Sequence, residues 1–566
     1  MNIDLRKTPF SRFGSYSVIQ LGKLKEKESN NLLYFRDIGG GDSNLGYIFQ
    51  INLIDQNKKP IDYEIQANET EIKLIDPKTN EKVSIIFPDE RRVRFYSKSL
   101  SFSFNFILSS YDHINPLSPS TWELHSYTHE MKLKFTLLEG KCNPDLKWDT
   151  IQTTKGILSF TGVTNDVQIE RYQCVAKLGK PKLSFEKELI LAKKDYEKFL
   201  ASVPPVKDSL FEKGRALASY ITYSSVVHPS GNLNRYAMYM SNNWMTNIWS
   251  WDNCFNAIAL SKNNEQLALD QLLIFSEVQD ESGVLPDFMN NLFCSYACCK
   301  PPIQGWAYMK MMSLNDFFLQ KEQLIGVFKQ LKGIEHYWST YRTNSSFPLP
   351  YYNHGNDSGW DNATPFISGM PVTTPDLPSY LVLLYEALEK ISRALNLCEE
   401  EKNYIKKGEQ MVKLLIDNLW VDGRFRSYHY EKKSFVDEGN SLIELMPIII
   451  SHRLPEQIVS SLVSRLSSAS FLTEFGLATE ALDSSYYQED GYWRGPIWAP
   501  IMLLIIDGLK KIKKDALAKK LARSFCNTAQ NNGMTENFDP KTGKGLVDPA
   551  FTWTSSVFIC LANEYI

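Results

Sequence analysis

Along roughly the first 185 residues, apolar and polar positions alternate with a period of two. Ser101-Phe102-Ser103-Phe104-Asn105-Phe106 and Lys132-Leu133-Lys134-Phe135-Thr136-Leu137 are the clearest runs. Tyr47-Ile48-Phe49-Gln50-Ile51 and Val83-Ser84-Ile85-Ile86-Phe87 are similar, and Asp, Asn, Pro and Gly bound them. A period of two puts every second side chain on one face of a strand. Many short strands separated by turn residues predict an antiparallel β-sandwich over residues 1–185.

Near residue 186 the period lengthens. Glu186 to Leu200 is charged and helical, and Pro204-Pro205 closes it, which predicts a linker helix over 186–207. From 208 to 566 helical spacing dominates, as in Leu381, Leu384, Tyr385, Leu388 and Ile391 after Pro378. Twelve such segments are expected, starting near residues 209, 252, 263, 303, 320, 376, 399, 439, 454, 495, 513 and 552. Twelve helices without intervening strands can pair into six hairpins, and six hairpins can close into a double ring. The expected class is therefore multidomain, a β-sandwich followed by an all-α domain over 208–566.

Composition narrows the function classes. The chain has 566 residues, 43% apolar and 22% charged, which excludes a disordered or fibrous protein. Lys plus Arg number 62 and Asp plus Glu 65, a net charge of −3, so no basic footprint for nucleic acid or anionic membrane exists. The opening MNIDLRKTPFSRFGSY lacks an apolar signal region, and no long uncharged apolar run predicts a membrane span. The nine scattered cysteines are expected to be reduced thiols, which suggests the cytoplasm. Cys294, Cys298 and Cys299 lack a second pair at zinc spacing and read as buried or loop thiols. The oligomeric state is not encoded in any recognisable pattern.

The connections between the helical segments carry the candidate chemistry. Aromatics reach 13% of the chain, and eight of its 12 tryptophans fall in Gly-, Pro-, Asn- and Asp-rich stretches after residue 240. Five segments combine rings with carboxylates, Arg or amides: Trp249 to Asn253, Pro301 to Trp306, Asn356 to Asn362, Tyr492 to Trp498, and Thr535 to Asp539. A sugar needs that mixture, because its C–H faces stack on rings and its hydroxyls bind polar groups. Hydrolysis of a glycosidic bond needs two carboxyl groups across it. The loop candidates are Asp252, Asp287, Asp357, Asp361, Glu438, Glu474, Glu489, Asp490, Glu536 and Asp539. Asp361 adjoins Trp360, whose ring could desolvate it as suits a general acid; it could equally cap a turn. Glu536 precedes the last helix and could equally be an ordinary surface glutamate. No phosphate-binding glycine loop, HExxH or GxSxG occurs, so no cofactor or metal is expected, although acidic loops could hold calcium.

Taken together, the five segments resemble glycoside hydrolase family 63, with the family 37 trehalases more distant. The resemblance covers about residues 240–566. Ser358-Gly359-Trp360-Asp361-Asn362 is similar to the general-acid loop and Thr535-Glu536-Asn537-Phe538 to the segment bearing the general base. Tyr492-Trp493-Arg494-Gly495-Pro496-Ile497-Trp498 and Phe551-Thr552-Trp553-Thr554-Ser555 complete the match. The resemblance implies an (α/α)6 barrel after a β-sandwich, and inversion at the anomeric carbon with Asp361 as acid and Glu536 as base. It implies a small α-glucoside or α-mannoside as partner. Trp251, Asp252, Gln304, Trp360, Tyr492, Trp493, Arg494 and Trp498 would line the sugar subsite. In an inverting site the two carboxyls stand roughly 6.5–9.5 Å apart, leaving room for water. Three alternatives stay open: a phosphorylase, an epimerase or lyase using a residue such as His354, and a non-catalytic sugar-binding protein. The stretch Cys294 to Cys299 and the first 200 residues depart from the family pattern.

Overall fold

Strands form where the sequence alternates. The computed structural model describes residues 1–22, 32–42 and 45–566. Its chain divides into two units. The first comprises Met1–Ala201 with Tyr220–Asn247 and Asn290–Phe293, and the second comprises Ser202–Ser219 with Ile248–Met289 and Cys294–Ile566.

Two large antiparallel sheets make up most of the first unit. One has six strands in the order Ser17–Gly22, Leu32–Asp37, Tyr47–Ile54, Ser101–Phe106, Gln152–Phe160, Cys142–Asp149. The other has eight, from Glu64–Ala67 through Arg92–Ser97, Asn165–Tyr172 and Met131–Glu139 to His113–Ser118. Phe49, Phe102 and Phe104 of the first sheet meet Phe95 and Phe135 of the second, with Phe95 and Phe104 ring centres 4.9 Å apart. This Phe layer is the core that the period-two pattern buries, as in a sandwich. Helix α1 (Phe185–Ser202) follows the last strand. Its charge is only partly solvated, because Glu188 is buried and accepts from Arg92 at 3.0 Å and Arg94 at 2.8 Å. Arg94 also holds Asp166 at 2.6 Å, so a paired charge network fixes the helix to the sheet.

The second unit is helical. Its helices follow α2 (Glu212–Ser224) as α3 (Asp252–Leu260), α4 (Glu265–Leu273), α5 (Gln304–Leu314), α6 (Lys321–Thr340), α7 (Asp376–Ala394) and α8 (Cys398–Leu419). A 3-10 segment, Leu442–Arg453, precedes α9 (Glu456–Leu466), α10 (Ala499–Lys511), α11 (Asp515–Asn532) and α12 (Thr552–Glu564). Every expected helical segment begins within about four residues of its anticipated start. The exception in kind is Leu442–Arg453, where Pro447 removes a donor and Ile450 leaves helical backbone angles, so no α-helix forms.

Two classes of helix separate by burial. In α3 all residues are buried, and in α10 the buried run extends from Ala499 to Leu509. In α8 only Tyr404, Gly408, Val412, Leu415 and Leu419 are buried, a single stripe at three- and four-residue spacing. The enclosed class packs in a cycle: α3 on α5, α5 on α7, α7 on Leu442–Arg453, that segment on α10, α10 on α12, and α12 back on α3. The striped class lies against it, with α4 on α3, α6 and α8 on α7, α9 on the 3-10 segment, and α11 on α10 and α12. No helix among the described residues is long and apolar enough to cross a membrane.

Candidate active site

The candidate segments precede helices of the enclosed class. Asp252 opens α3 and Gln304 opens α5; Asp361 lies ahead of α7, the 492–498 block ahead of α10 and Glu536 ahead of α12. Two small antiparallel ladders hold the connections. Ile248-Trp249 pairs with Phe288-Met289, and Ile497-Trp498 pairs with Asn537-Phe538, which sets Trp498 opposite Asn537 and beside Glu536.

Four of the ten loop carboxylates converge. Asp252 is buried, and its Oδ2 has no hydrogen-bond partner among the described residues. Burial pushes its pKa up to about 8; Lys300 opposes that rise, while Asp287 and Asp361 add to it. Glu536 is 1% exposed, accepts from the Tyr492 hydroxyl at 3.2 Å through Oε1, and leaves Oε2 without a partner among the described residues. Burial, reinforced by the charge of Asp548, raises its pKa to about 8, while the Tyr492 bond works the other way. The Tyr492 phenol is itself raised by burial and by the charges of both Glu536 and Asp361. Residues 175 positions apart in the chain (536 − 361) therefore act on one hydroxyl. Burial raises Asp287 as well, against the pull of Lys300.

The remaining candidates have other partners. Asp357 accepts from Cys299 N–H at 3.0 Å, Arg342 at 2.9 Å and Asn353 N–H at 3.0 Å, so it organises its own turn. Asp539 ties a turn through Lys541 N–H at 2.8 Å and Thr542 at 2.6 Å. Glu474, Glu489 and Asp490 are exposed, and Glu438 is half-buried.

The loop bearing Asp361 is tightly shaped. Its 3-10 turn Gly355–Ser358 ends at Gly359, whose φ of 72° and whose position against Trp251 exclude a side chain: an added Cβ would lie 2.5 Å from the ring. Ser358 Oγ accepts from Trp360 N–H at 3.0 Å. Asn362 donates to Gly491 C=O at 3.0 Å and accepts from Trp493 N–H at 2.9 Å, so one amide joins the Asp361 loop to the 492–498 block.

The tryptophans form a block with one another. Trp493 and Trp498 stack at 4.0 Å and 4°, Trp360 tilts onto Trp493 at 4.9 Å, and Trp498 meets Trp553 edge-on at 5.4 Å. Trp251, Trp360, Trp493 and Trp498 are essentially fully buried. Much of their ring area is thus turned inward, where it fixes the loops. Trp306 and Trp553 sit in the first turns of α5 and α12, inside helices and not in the connections where their Gly- and Pro-rich flanks would put them. Trp306 donates to Asp507 at 3.0 Å, a partner that a helical position supplies. Gln304 donates to Ser250 C=O at 2.9 Å, and Arg494 reaches Gln488 at 3.3 Å within its own loop.

One residue was invisible in the sequence pattern. Lys300 is buried among carboxylates, 3.1 Å from Asp287. Burial lowers its pKa, but Asp287, Asp361 and Asp252 outweigh that and raise it, keeping the ammonium charged. The only hint is its place directly before Pro301-Pro302, where one lysine interrupts an otherwise uncharged stretch. The neighbouring Cys294, Cys298 and Cys299 are free thiols, and Cys299 is buried.

Residues 245–554 match the family model described as the mannosylglycerate hydrolase MGH1-like glycoside hydrolase domain, more than half of the chain. The chain belongs to this glycoside hydrolase family. The resemblance to family 63 carried by the loop motifs therefore holds. The mannosylglycerate hydrolase of Rubrobacter radiotolerans is 32% identical over 184 residues, 31% of this chain and 40% of that protein, so the match spans less than half of the relative's length. The family 63 mannosylglycerate hydrolase of Thermus thermophilus, solved in complex with glucose, matches with a TM-score of 0.50 and 18% identity over 61% of this chain and 98% of that one. A bacterial glucoamylase complexed with acarbose gives a TM-score of 0.61 at 11% identity, covering 99% of this chain and 94% of its own. At these identities the two structures speak to the fold of the family member.

Proposed function

We propose that this protein is an inverting, exo-acting hydrolase of a small α-glucoside or α-mannoside, with Asp361 as general acid and Glu536 as general base. The observation that carries the reading is Tyr492, whose hydroxyl feels both carboxylates and bonds to one of them. Asp361, half-buried at the end of a rigid loop, gives its proton to the departing glycosidic oxygen. Glu536 takes a proton from water through Oε2, the oxygen without a partner among the described residues, and the water attacks the anomeric carbon from the opposite face. Asp252, with a buried free oxygen, accepts from a sugar hydroxyl, and Gln304 does the same through Oε1. Arg494 approaches the sugar from its loop, the half-buried Tyr492 ring walls it, and the buried Trp251, Trp360, Trp493 and Trp498 back that wall from behind. The cycle of helix contacts is read as an (α/α)6 barrel, with the 3-10 segment Leu442–Arg453 as one inner member.

The name of the Rubrobacter relative makes mannosylglycerate the first substrate to try. The test is a product screen on mannosylglycerate, glucosylglycerate, kojibiose, nigerose and trehalose, with the anomer followed by NMR. The expected result is hydrolysis with inversion, lost by orders of magnitude in both Asp361→Asn and Glu536→Gln. Retention at the anomeric carbon, phosphate-dependent release of a sugar 1-phosphate, or near-normal turnover in either variant would overturn the assignment.

A further inference from the structure

The segment Cys299-Lys300 docks onto the acid loop at two adjacent residues. Cys299 N–H donates to Asp357 Oδ1 at 3.0 Å, and Lys300 Nζ donates to the Asn356 carbonyl at 2.9 Å. The same ammonium bonds the Asn356 side-chain oxygen, and the Asn356 amide then donates to Asp287 Oδ2 at 2.8 Å. Lys300 and Asp287 form an ion pair 3.1 Å apart, so two hydrogen bonds and one ion pair link ammonium, amide and carboxylate in a ring. The link continues to the acid. Gly355, next to Asn356, lies so close to the Asp361 carbonyl that an added Cβ would stand 1.9 Å from its oxygen. Asn356 is thus one residue away from a close backbone approach to Asp361.

We propose that Lys300 is a positioning residue for the general acid: its ammonium clamps Asn356 and so sets the aim of Asp361 at the leaving oxygen. The inference rests on the assignment of Asp361 as acid. Three observations favour this over a purely structural ion pair. The ammonium is buried, so burying it costs several kcal/mol unless it is paired and hydrogen-bonded. It donates to the acid loop's backbone in addition to its carboxylate partner. It also lies within the field of Asp252, Asp287 and Asp361 together, three of the four converging carboxylates. Lysine suits the role because a compact ammonium with three donors can serve a carbonyl, an amide oxygen and a carboxylate at once.

The experiment uses leaving-group dependence. The substrates are a glycoside with an alkyl leaving group that the wild type cleaves and the 2,4-dinitrophenyl glycoside of the same sugar, which departs with little need of a proton. Asp361→Asn is measured first and should lose far more turnover on the alkyl glycoside than on the dinitrophenyl one. Lys300→Met should follow the same pattern, losing about 30-fold or more in kcat on the alkyl glycoside and under about 3-fold on the aryl one, with KM little changed. Equal losses on both substrates, or a loss confined to KM, overturns the positioning role. If Asp361→Asn itself shows no leaving-group selectivity, the acid assignment falls; if it does and Lys300→Met does not, only the Lys300 role falls. Should Lys300→Met fail to fold, Asn356→Ala, which cuts the tether and leaves the Lys300–Asp287 pair, carries the same expectation and the same refutation.

Discussion

The hydroxyl of Tyr492 donates to Glu536 at 3.2 Å from a backbone held at φ 61°, a left-handed conformation uncommon for a tyrosine. Trp498 enforces it, donating its indole N–H to the Tyr492 carbonyl at 2.9 Å while the two rings meet edge-on at 4.9 Å. The bond favours the ionised form of Glu536, against the burial that pushes it up to about 8. A base must be ionised to act, so activity should climb as pH rises through the Glu536 pKa. Removing the hydroxyl with Tyr492→Phe withdraws about 1 kcal/mol of support, which moves that limb of the kcat/KM profile to higher pH by roughly 0.5–1 unit. A limb that stays in place would detach Tyr492 from the base.

Stability carries the same shifts with a defined sign. Asp252 and Glu536 stand at about 8 in the folded chain, against ordinary values near 4 when unfolded. Between those values the folded chain binds more protons than the unfolded one, so stability falls as pH rises from about 4 to about 8 and then levels. Asp252→Asn and Glu536→Gln abolish the ionisation and should flatten this fall. Each variant is expected to gain on the order of 2 kcal/mol relative to wild type at pH 8, and much less at pH 5. Urea unfolding at the two pH values measures it; variants that lose more stability at pH 8 than at pH 5 would contradict the raised pKa.

What the sequence discloses and what it hides divide along physical lines. Period-two and helical runs are local properties, so Ser101–Phe106 and the stripe on α8 are legible before any coordinates are known. The proposed pair Asp361 and Glu536 is reached only by the resemblance of their loops, because proximity in space is a tertiary property. Lys300 is hidden altogether. Lysine is a surface residue by default, and nothing within a few positions signals that three carboxylates from distant segments will surround it. The tryptophans mislead for a related reason: flanking glycines and prolines suggest exposed loops, yet Trp360, Trp493 and Trp498 satisfy one another's faces in a buried block.

Gly359 is a tight steric point of the loop that carries Asp361, the proposed acid. Its φ of 72° disfavours any side chain, and an added methyl would press 2.5 Å from Trp251, whose ring is buried and edge-on to Trp553. The ring has no room to retreat, so Gly359→Ala must move the loop. The expected cost is about 2–3 kcal/mol of stability from strain and overpacking. Turnover should fall by at least ~100-fold, because a displacement of about 1 Å misaims the acid. Thermal unfolding and kcat on the substrate found in the screen test it, and an alanine variant with normal values would show that the loop is not held by this contact.

Asn362 carries a different kind of constraint, an exchange of two hydrogen bonds between the acid loop and the block ahead of α10. Its side chain donates to Gly491 C=O at 3.0 Å and accepts from Trp493 N–H at 2.9 Å, so one side chain of the Asp361 loop satisfies two backbone groups of the facing segment. Asn362→Ala strands both and should cost about 1–3 kcal/mol. Asn362→Asp separates the two bonds: its carboxylate can still accept from Trp493 N–H but confronts the Gly491 carbonyl with a second acceptor. If the bridge sets the distance between Asp361 and the Tyr492–Glu536 pair, both variants should lower kcat more than they raise KM, with Asp at least as damaging as Ala despite its closer shape. A variant ranking in which Asp restores wild-type turnover would mean that the Gly491 contact is dispensable and that the acid loop is held by Gly359 and the Lys300 clamp alone.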